Sequence, residues 1–246
     1  MNSLSESVSL IVAAAGKSTR FAAGSGHSNA DFSSKLLLTF QDGESVIGRS
    51  IRQVASALDF KEIVLVASPE LFSEFQKRLA ALDLEIKFVA GGESRFDSVQ
   101  RGFRALGEQS EFVMIHDGAR PNCKFQEVRE VFRVAKETGA ALLARPVTST
   151  IKQAVSEQSA DFPKVEKTIA RQHLWAAQTP QVFRSSLLEQ AYDLAGEDKL
   201  AFTDESALVE ATGAKVSIVP GSSCNIKITR PGDLALANFY AQSIVS

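Results

Sequence analysis

Cysteine is almost missing. Cys123 and Cys224 are the only thiols in 246 residues, and they show no paired spacing, which excludes a disulfide framework and a cysteine-rich zinc site and fits a reducing compartment. Histidine is nearly as scarce: His27, His116 and His173 are all there are, and none has metal-ligand spacing. No H-E-x-x-H, nucleophile-elbow or kinase signature is present, so hydrolytic acid–base machinery is not visible. No apolar stretch reaches the roughly 18 residues that a membrane span needs, so no membrane association is expected. The run at 8–15 imitates a signal peptide with its Ala13-Ala14-Ala15, but Glu6 and no basic residue precedes it. It is expected to be a strand of a cytoplasmic protein. A net charge of −2 supplies no global field for DNA or RNA, which excludes nucleic acid as an expected partner and leaves phosphate binding to locally placed Lys and Arg.

What is present has ordinary globular proportions, 44% hydrophobic and 23% charged, and the length suits one α/β domain over 1–246. Short apolar strands are predicted at 10–14, 63–67, 86–90, 112–116 and 140–145, alternating with amphipathic helical stretches at 45–58 and 128–138. That rhythm predicts a mostly parallel twisted sheet with helices on both faces, Rossmann-like in layout. Ser68-Pro69 opens a further helix with Pro at its first position, and Gly139 reads as a left-handed cap. After Pro146 the pattern alternates at 150–155 and 165–170 around a polar turn, predicting a protruding β-arm at about 148–171. A hairpin is marginal alone, so a partner subunit, and hence a homodimer, is expected to cover it. Helices are predicted at 185–194, 204–211 and 231–244 and strands at 216–219 and 225–228, while 22–34 reads as a mobile surface loop.

In an open parallel sheet, ligands gather beyond the carboxyl ends of the strands. Five segments stand there or close by. Ala14-Ala15-Gly16-Lys17-Ser18-Thr19-Arg20 lets backbone N–H groups approach an anion; it ends like a Walker A loop, but that motif needs Gly where Ile11 stands, and G-x-G-x-x-G is absent. Lys35 precedes an apolar run and by itself reads as a surface lysine. In Gly91-Gly92-Glu93-Ser94-Arg95-Phe96-Asp97-Ser98, a capping box accounts for Ser94 and Asp97, while the glycines suit close approach to a base or sugar. His116-Asp117-Gly118-Ala119-Arg120 carries an acid and a base that a simple ion pair would explain. Lys227 lies between apolar neighbours that can bury its stem. A phosphate monoester, with a second pKa near 6, attacks without a general base; its obstacle is repulsion from a triphosphate, so positioning and neutralisation by Lys, Arg and Mg²⁺ suffice.

These segments, in this order, resemble the 2-C-methyl-D-erythritol 4-phosphate cytidylyltransferases of the non-mevalonate isoprenoid pathway. Also in the likeness are Pro146-Val147, Thr150-Ile151-Lys152, Leu174-Trp175, Gln178-Thr179-Pro180-Gln181, Thr203-Asp204-Glu205 and Asn225-Ile226-Lys227. The resemblance implies a CTP-dependent nucleotidyltransferase with a divalent cation, Mg²⁺, held mainly by phosphate oxygens rather than by protein ligands. It implies CTP on Ala14, Ala15, Gly16 and Ser18, with the base near Gly92, Glu93 and Ser98 and the ribose near Gly118. Arg20, Lys35 and Lys227 would be the catalytic cations. Asp117, Arg120, Thr179 and Thr203 would hold the polyol phosphate, and Thr150 and Arg171 would reach it across the dimer. Ribitol-5-phosphate cytidylyltransferases resemble the chain over the same loops, and a catalytically silent nucleotide-binding module is a further alternative. Ser18 stands where the family usually has Gly, Ser34 where it has Pro, Gly118 where it has Ala and Ala170 where it has Asp.

Overall fold

The apolar run near the start forms β1 (Val8–Ala13), buried almost throughout, as a strand covered on both faces must be. A computed structural model describes residues 7–25, 34–107, 110–155, 162–196 and 202–244. In chain order the elements after β1 are α1 (Thr19–Ser25), α2 (Val46–Ala55), β2 (Ile63–Ala67), α3 (Phe72–Leu79), β3 (Ile86–Ala90), α4 (Arg95–Arg104), β4 (Phe112–Asp117), α5 (Phe125–Thr138) and β5 (Ala140–Pro146). They are followed by β6 (Ile151–Ala154), β7 (Val165–Ile169), β8 (Trp175–Arg184), α6 (Ser185–Ala195), α7 (Glu205–Glu210), β9 (Ser217–Pro220) and α8 (Pro231–Ile244).

Among the described residues, seven strands form one sheet in the order β3-β2-β1-β4-β8-β5-β9. Only β8 runs antiparallel to its neighbours β4 and β5. Alternate residues of β1 feed two cores: Leu10 and Val12 pack under α2, α3, α5 and α8, whereas Ile11 packs under α4, α6 and α7. This is the expected single mostly parallel sheet with helices on both faces. Because β1, β2, β3, β4 and β5 run the same way, the segments that follow them all open on one rim.

The local signals read from sequence act as expected at several ends. Gly139 caps α5 at φ 87°, in the left-handed region that glycine enters without a Cβ penalty. Ser94 Oγ accepts from the Asp97 N–H and Asp97 from the Ser94 N–H, closing a capping box on α4.

Three expectations need correction. No strand forms at 225–228; instead of a ladder, its N–H groups go to scattered carbonyls, Asn225 to Ser222, Ile226 to Cys224 and Ile228 to Ala119, while the Asn225 carbonyl accepts from Arg120 Nη1 at 2.9 Å and from Gln178 Nε2 at 3.1 Å. The stretch at 22–34 is not loop throughout: α1 extends to Ser25, Ala22 and Ser34 are buried, and residues 26–33 lie outside the described residues. The central strand β8 was not expected at all. Pro180 argues against an interior strand because it cannot donate to a ladder, and the β5 register does shift between Leu142 and Ala144, opposite that proline.

The arm consists of β6 and β7, which pair only with each other, Ile151 opposite Ile169. Its turn at 156–161 lies outside the described residues. Beyond it Phe162 is 83% and Val165 60% exposed, an apolar display that a single copy leaves in water. Among the described residues no helix is long and apolar enough to cross a membrane.

Candidate active site

The turn after β1 leaves the sheet between β2 and β4. Ala14 N–H donates to the Val66 carbonyl, and Gly118 N–H reaches back to Ala13. Ser18 then adopts φ 53° and its carbonyl accepts from the N–H groups of Phe21 and Ala22, starting α1. On the next strand but one, Gly91 N–H bonds to the Ala67 carbonyl, and Ser98 Oγ accepts from Gly92 N–H at 2.9 Å while donating to the Ser94 carbonyl at 2.8 Å. The two loops are packed so closely that a Cβ on Gly91 would come within 2.4 Å of Ala15 Cβ. Between them opens a cleft of about 340 Å³ lined by both loops, Lys35, Arg95, Asp117 and Lys227.

Lys35 is placed from both sides. Its N–H donates to Ser18 Oγ at 3.3 Å, and Ser34 Oγ caps the short turn that it begins. Leu36 is buried, and the chain then folds back as a Thr39–Ser45 bridge clamped by Arg49, which lies 4.2 Å over the Phe40 ring and pairs with Asp42 and Glu44. The downstream hairpin therefore fixes the backbone at Lys35. Burial, then the charges of Lys227 and Arg20, lower its pKa from 10.5 to about 8. Lys227 and Arg20 thus stand near enough to act on the Lys35 charge, and Asp117 and Asp233 offset them only in part.

Asp117 organises the other wall. Lys227 Nζ lies 3.0 Å and Arg120 Nε 3.2 Å from its Oδ2, and Arg95 Nη2 lies 3.5 Å from its Oδ1. Burial alone would raise this carboxyl; Lys227, Arg95 and Arg120 outweigh it and hold the group well below the usual carboxylate range. Behind it, His116 is fully buried, which lowers its pKa to about 4. The neutral ring has one consistent tautomer: the Arg120 carbonyl, 3.2 Å away, accepts from Nε2–H, and Thr179 Oγ1 donates to Nδ1 at 3.1 Å. Thr179 then accepts the Asp117 N–H at 2.9 Å. This relay fixes the backbone of the turn that carries Asp117 and Arg120.

A site built of cations, close-packed glycine loops and one neutralised carboxylate suits a polyanion. Comparison with known proteins gives it a family. The family model for 2-C-methyl-D-erythritol 4-phosphate cytidylyltransferase (IspD) matches residues 8–243. The chain belongs to this family. It is 35% identical over 236 residues to the 2-C-methyl-D-erythritol 4-phosphate cytidylyltransferase of Solibacter usitatus, covering 95% of both chains. It is 42% identical over 204 residues to a bifunctional IspD/IspF enzyme of Anaeromyxobacter dehalogenans, of which it spans about half, 52%. The crystal structure of 4-diphosphocytidyl-2C-methyl-D-erythritol synthase from Anaerococcus prevotii superposes with a TM-score of 0.77 at 29% identity, over 96% of this chain and 99% of that one.

The residues singled out from sequence divide by position. Ala14, Ala15, Gly16, Lys35, Gly92, Glu93, Ser98, Asp117 and Lys227 line the cleft. Arg20 stands outside the lining, exposed in α1 but near enough to Lys35 to act on its charge. Ser18 works through its bond to Lys35, and Gly118 through its bond to Ala13. Arg120 and Thr179 point inward, onto Asp117 and His116. Thr203 is exposed just before α7, and Thr150 and Arg171 are exposed at the base of the arm, where Arg171 bonds to the Thr148 carbonyl. In this IspD-family chain, sequence reasoning gave Arg95 and Glu205 no role. Their one signal was a cation in the first turn of a helix, against the helix field, which calls for a nearby anion.

Gly91→Ala is expected to push the two loops apart, since both atoms in conflict are rigidly attached to backbone. The cost, about 1–3 kcal/mol for overpacking, should divide between thermal stability and nucleotide affinity. Calorimetric titration with CTP beside a melting curve checks this; unchanged affinity and unchanged Tm would contradict the packing described.

Proposed function

We propose that the protein couples CTP to 2-C-methyl-D-erythritol 4-phosphate, releasing pyrophosphate and forming 4-diphosphocytidyl-2-C-methyl-D-erythritol. The observation that carries this reading is that Lys35 and Lys227 line one cleft together with the two glycine-bearing loops, with Arg20 near enough to act on the Lys35 charge. The family membership supports the same reading.

In the reaction a substrate phosphate oxygen forms a bond to the α-phosphorus of CTP and the bond to the β-phosphate oxygen breaks, so the leaving group is pyrophosphate. The attacking oxygen is already anionic, and no side chain has to remove a proton. Ala14, Ala15 and Gly16 present backbone to the triphosphate, Gly92, Glu93 and Ser98 edge the base, and Gly118 lies toward the ribose. Lys35, Lys227 and Arg20 neutralise charge that grows on the α-phosphoryl oxygens. Asp117 and Thr203 meet the hydroxyls of the acceptor, with Arg120 and Thr179 holding Asp117 in place. Mg²⁺ belongs to the same reading as a cation carried by the phosphates, where it would further neutralise them. The donor set fits that role, because the Asp117 carboxylate in the cleft is committed to Lys227, Arg120 and Arg95.

The exposed apolar arm supports a homodimer in which Thr150 and Arg171 of each copy serve the site of the other. Arg171→Ala is then expected to raise KM for the acceptor several-fold and to leave CTP binding unchanged. Equal weakening of both ligands, measured by steady-state kinetics and calorimetry, would contradict that division. The composition, with its two unpaired thiols, supports a cytoplasmic location.

The test of the whole reading is pyrophosphate release from CTP and Mg²⁺ with a panel of polyol phosphates. Methylerythritol phosphate should be turned over far faster than ribitol 5-phosphate. Preference for ribitol phosphate would move the acceptor, and no release with any member would overturn the enzyme.

A further inference from the structure

One charged pair next to the cleft is not used by the chemistry above. Arg95 heads α4, where the positive end of the helix disfavours a cation. It is held there by two carboxylates: Nη1 lies 2.5 Å from Glu205 Oε2 and Nη2 lies 3.5 Å from Asp117 Oδ1. Glu205 is buried at 2% exposure in the first turn of α7, 110 residues away in the chain. Asp117 is thus gripped from two directions, by Arg95 at one oxygen and by Arg120 and Lys227 at the other.

The charges at Asp117 are unequal. This one carboxylate faces three cations, Arg95, Arg120 and Lys227, and of these Arg95 is shared with Glu205 and lies near Asp204. Lys227 is also the most exposed of these cations, its side chain at 36% against 28% for Arg95 and 11% for Arg120. If Lys227 leaves Asp117, that carboxylate keeps Arg95 at one oxygen and Arg120 at the other. Without Arg95, release of Lys227 would leave the buried Asp117 carboxylate held by Arg120 at one oxygen alone, which is costly.

We infer that Arg95, backed by Glu205, is a positioning residue that holds Asp117 while Lys227 exchanges that carboxylate for the phosphates of the nucleotide. The inference rests on the reading of Lys227 as a phosphate-neutralising cation. Lys227 is stored on Asp117 in the free protein and is transferred when a stronger anion arrives. Asp117 stays ionised and oriented throughout because Arg95 and Arg120 occupy opposite oxygens.

A double-mutant cycle separates this role from plain structural support. Arg95→Gln alone leaves Glu205 buried without its cation, so the pair is removed together as Arg95→Gln/Glu205→Gln, which can retain a side-chain hydrogen bond. Single-turnover kcat/KM for pyrophosphate release is measured with and without Lys227→Met, with melting curves on all four proteins. In the wild-type background, loss of the pair should lower kcat/KM by roughly 10-fold or more, and in the Lys227→Met background by less than about threefold. The same fold-loss in both backgrounds would overturn the inference, since the pair would then act without Lys227. A Lys227→Met protein as active as wild type would overturn the underlying reading of Lys227, a result visible before the pair is touched.

Discussion

Lys35→Met is expected to lower kcat by about 100- to 1,000-fold, the usual effect of removing one preorganised charge from a site where negative charge develops, with KM for CTP changing only a few-fold. Methionine keeps an unbranched apolar stem, so the substitution tests the ammonium and not the packing. The division between kcat and KM follows from position. The backbone at Lys35 is held by Ser18, by the Ser34 cap and by the hairpin that Arg49 clamps, so the root of the side chain is fixed at the cleft that it lines. It acts on charge that is greatest in the transition state, and a group that does so lowers kcat and kcat/KM together when removed. An unchanged kcat in steady-state measurements would take Lys35 out of the mechanism.

The second large effect is on the fold as well as the chemistry. Asp117→Asn is expected to destabilise the protein by about 3–5 kcal/mol, the typical cost of breaking a buried charge pair, because Arg120, Lys227 and one arm of Arg95 lose the carboxylate between them. The pH dependence gives it a signature. The Asp117 carboxyl is depressed in the folded protein, so its contribution is complete above the unfolded carboxyl value, about pH 4. It is lost as pH falls below that toward the folded value. Urea midpoints should therefore separate the two proteins widely at neutral pH and converge in strong acid. A variant as stable as wild type at pH 7 would mean that the three cations do not depend on this carboxylate.

Strands β1, β2, β4 and β5 were legible because each is a short apolar run bounded by turn residues, a pattern set by burial between two helical layers, whereas β3 is a half-exposed edge strand. The rim was legible with them, since parallel strands put their carboxyl ends together. What sequence could not reveal was where order depends on distant partners. β8 carries Pro180 and is held by ladders on both sides, around a register shift that the local pattern does not announce. Residues 225–228 look like a strand by alternation, yet Arg120 and Gln178 claim the Asn225 carbonyl first.

The site divides in the same way. Its loops could be read from glycine and alanine content, but its cations came only through the family resemblance, since Lys35 by itself reads as a surface lysine. The grouping of Asp117 with Arg95 and Lys227, and of Arg95 with Glu205, depends on contacts between segments far apart in the chain. Arg120 and Thr179 illustrate the limit from the other side. Both were read as meeting the acceptor, but burial turns their polar atoms toward Asp117 and His116, a direction that residue type alone does not give.

The meeting of Lys35, Arg20 and Lys227 is best tested by following the Lys35 amine itself, by NMR of protein carrying ¹⁵N-labelled lysine. In the free protein it should titrate near pH 8, and bound CTP should move it back up, because phosphate oxygens favour the charged form. Titration at the ordinary value of 10.5, unmoved by CTP, would mean that Lys35 is neither buried in the cleft nor beside the other cations, and that the triphosphate lies elsewhere.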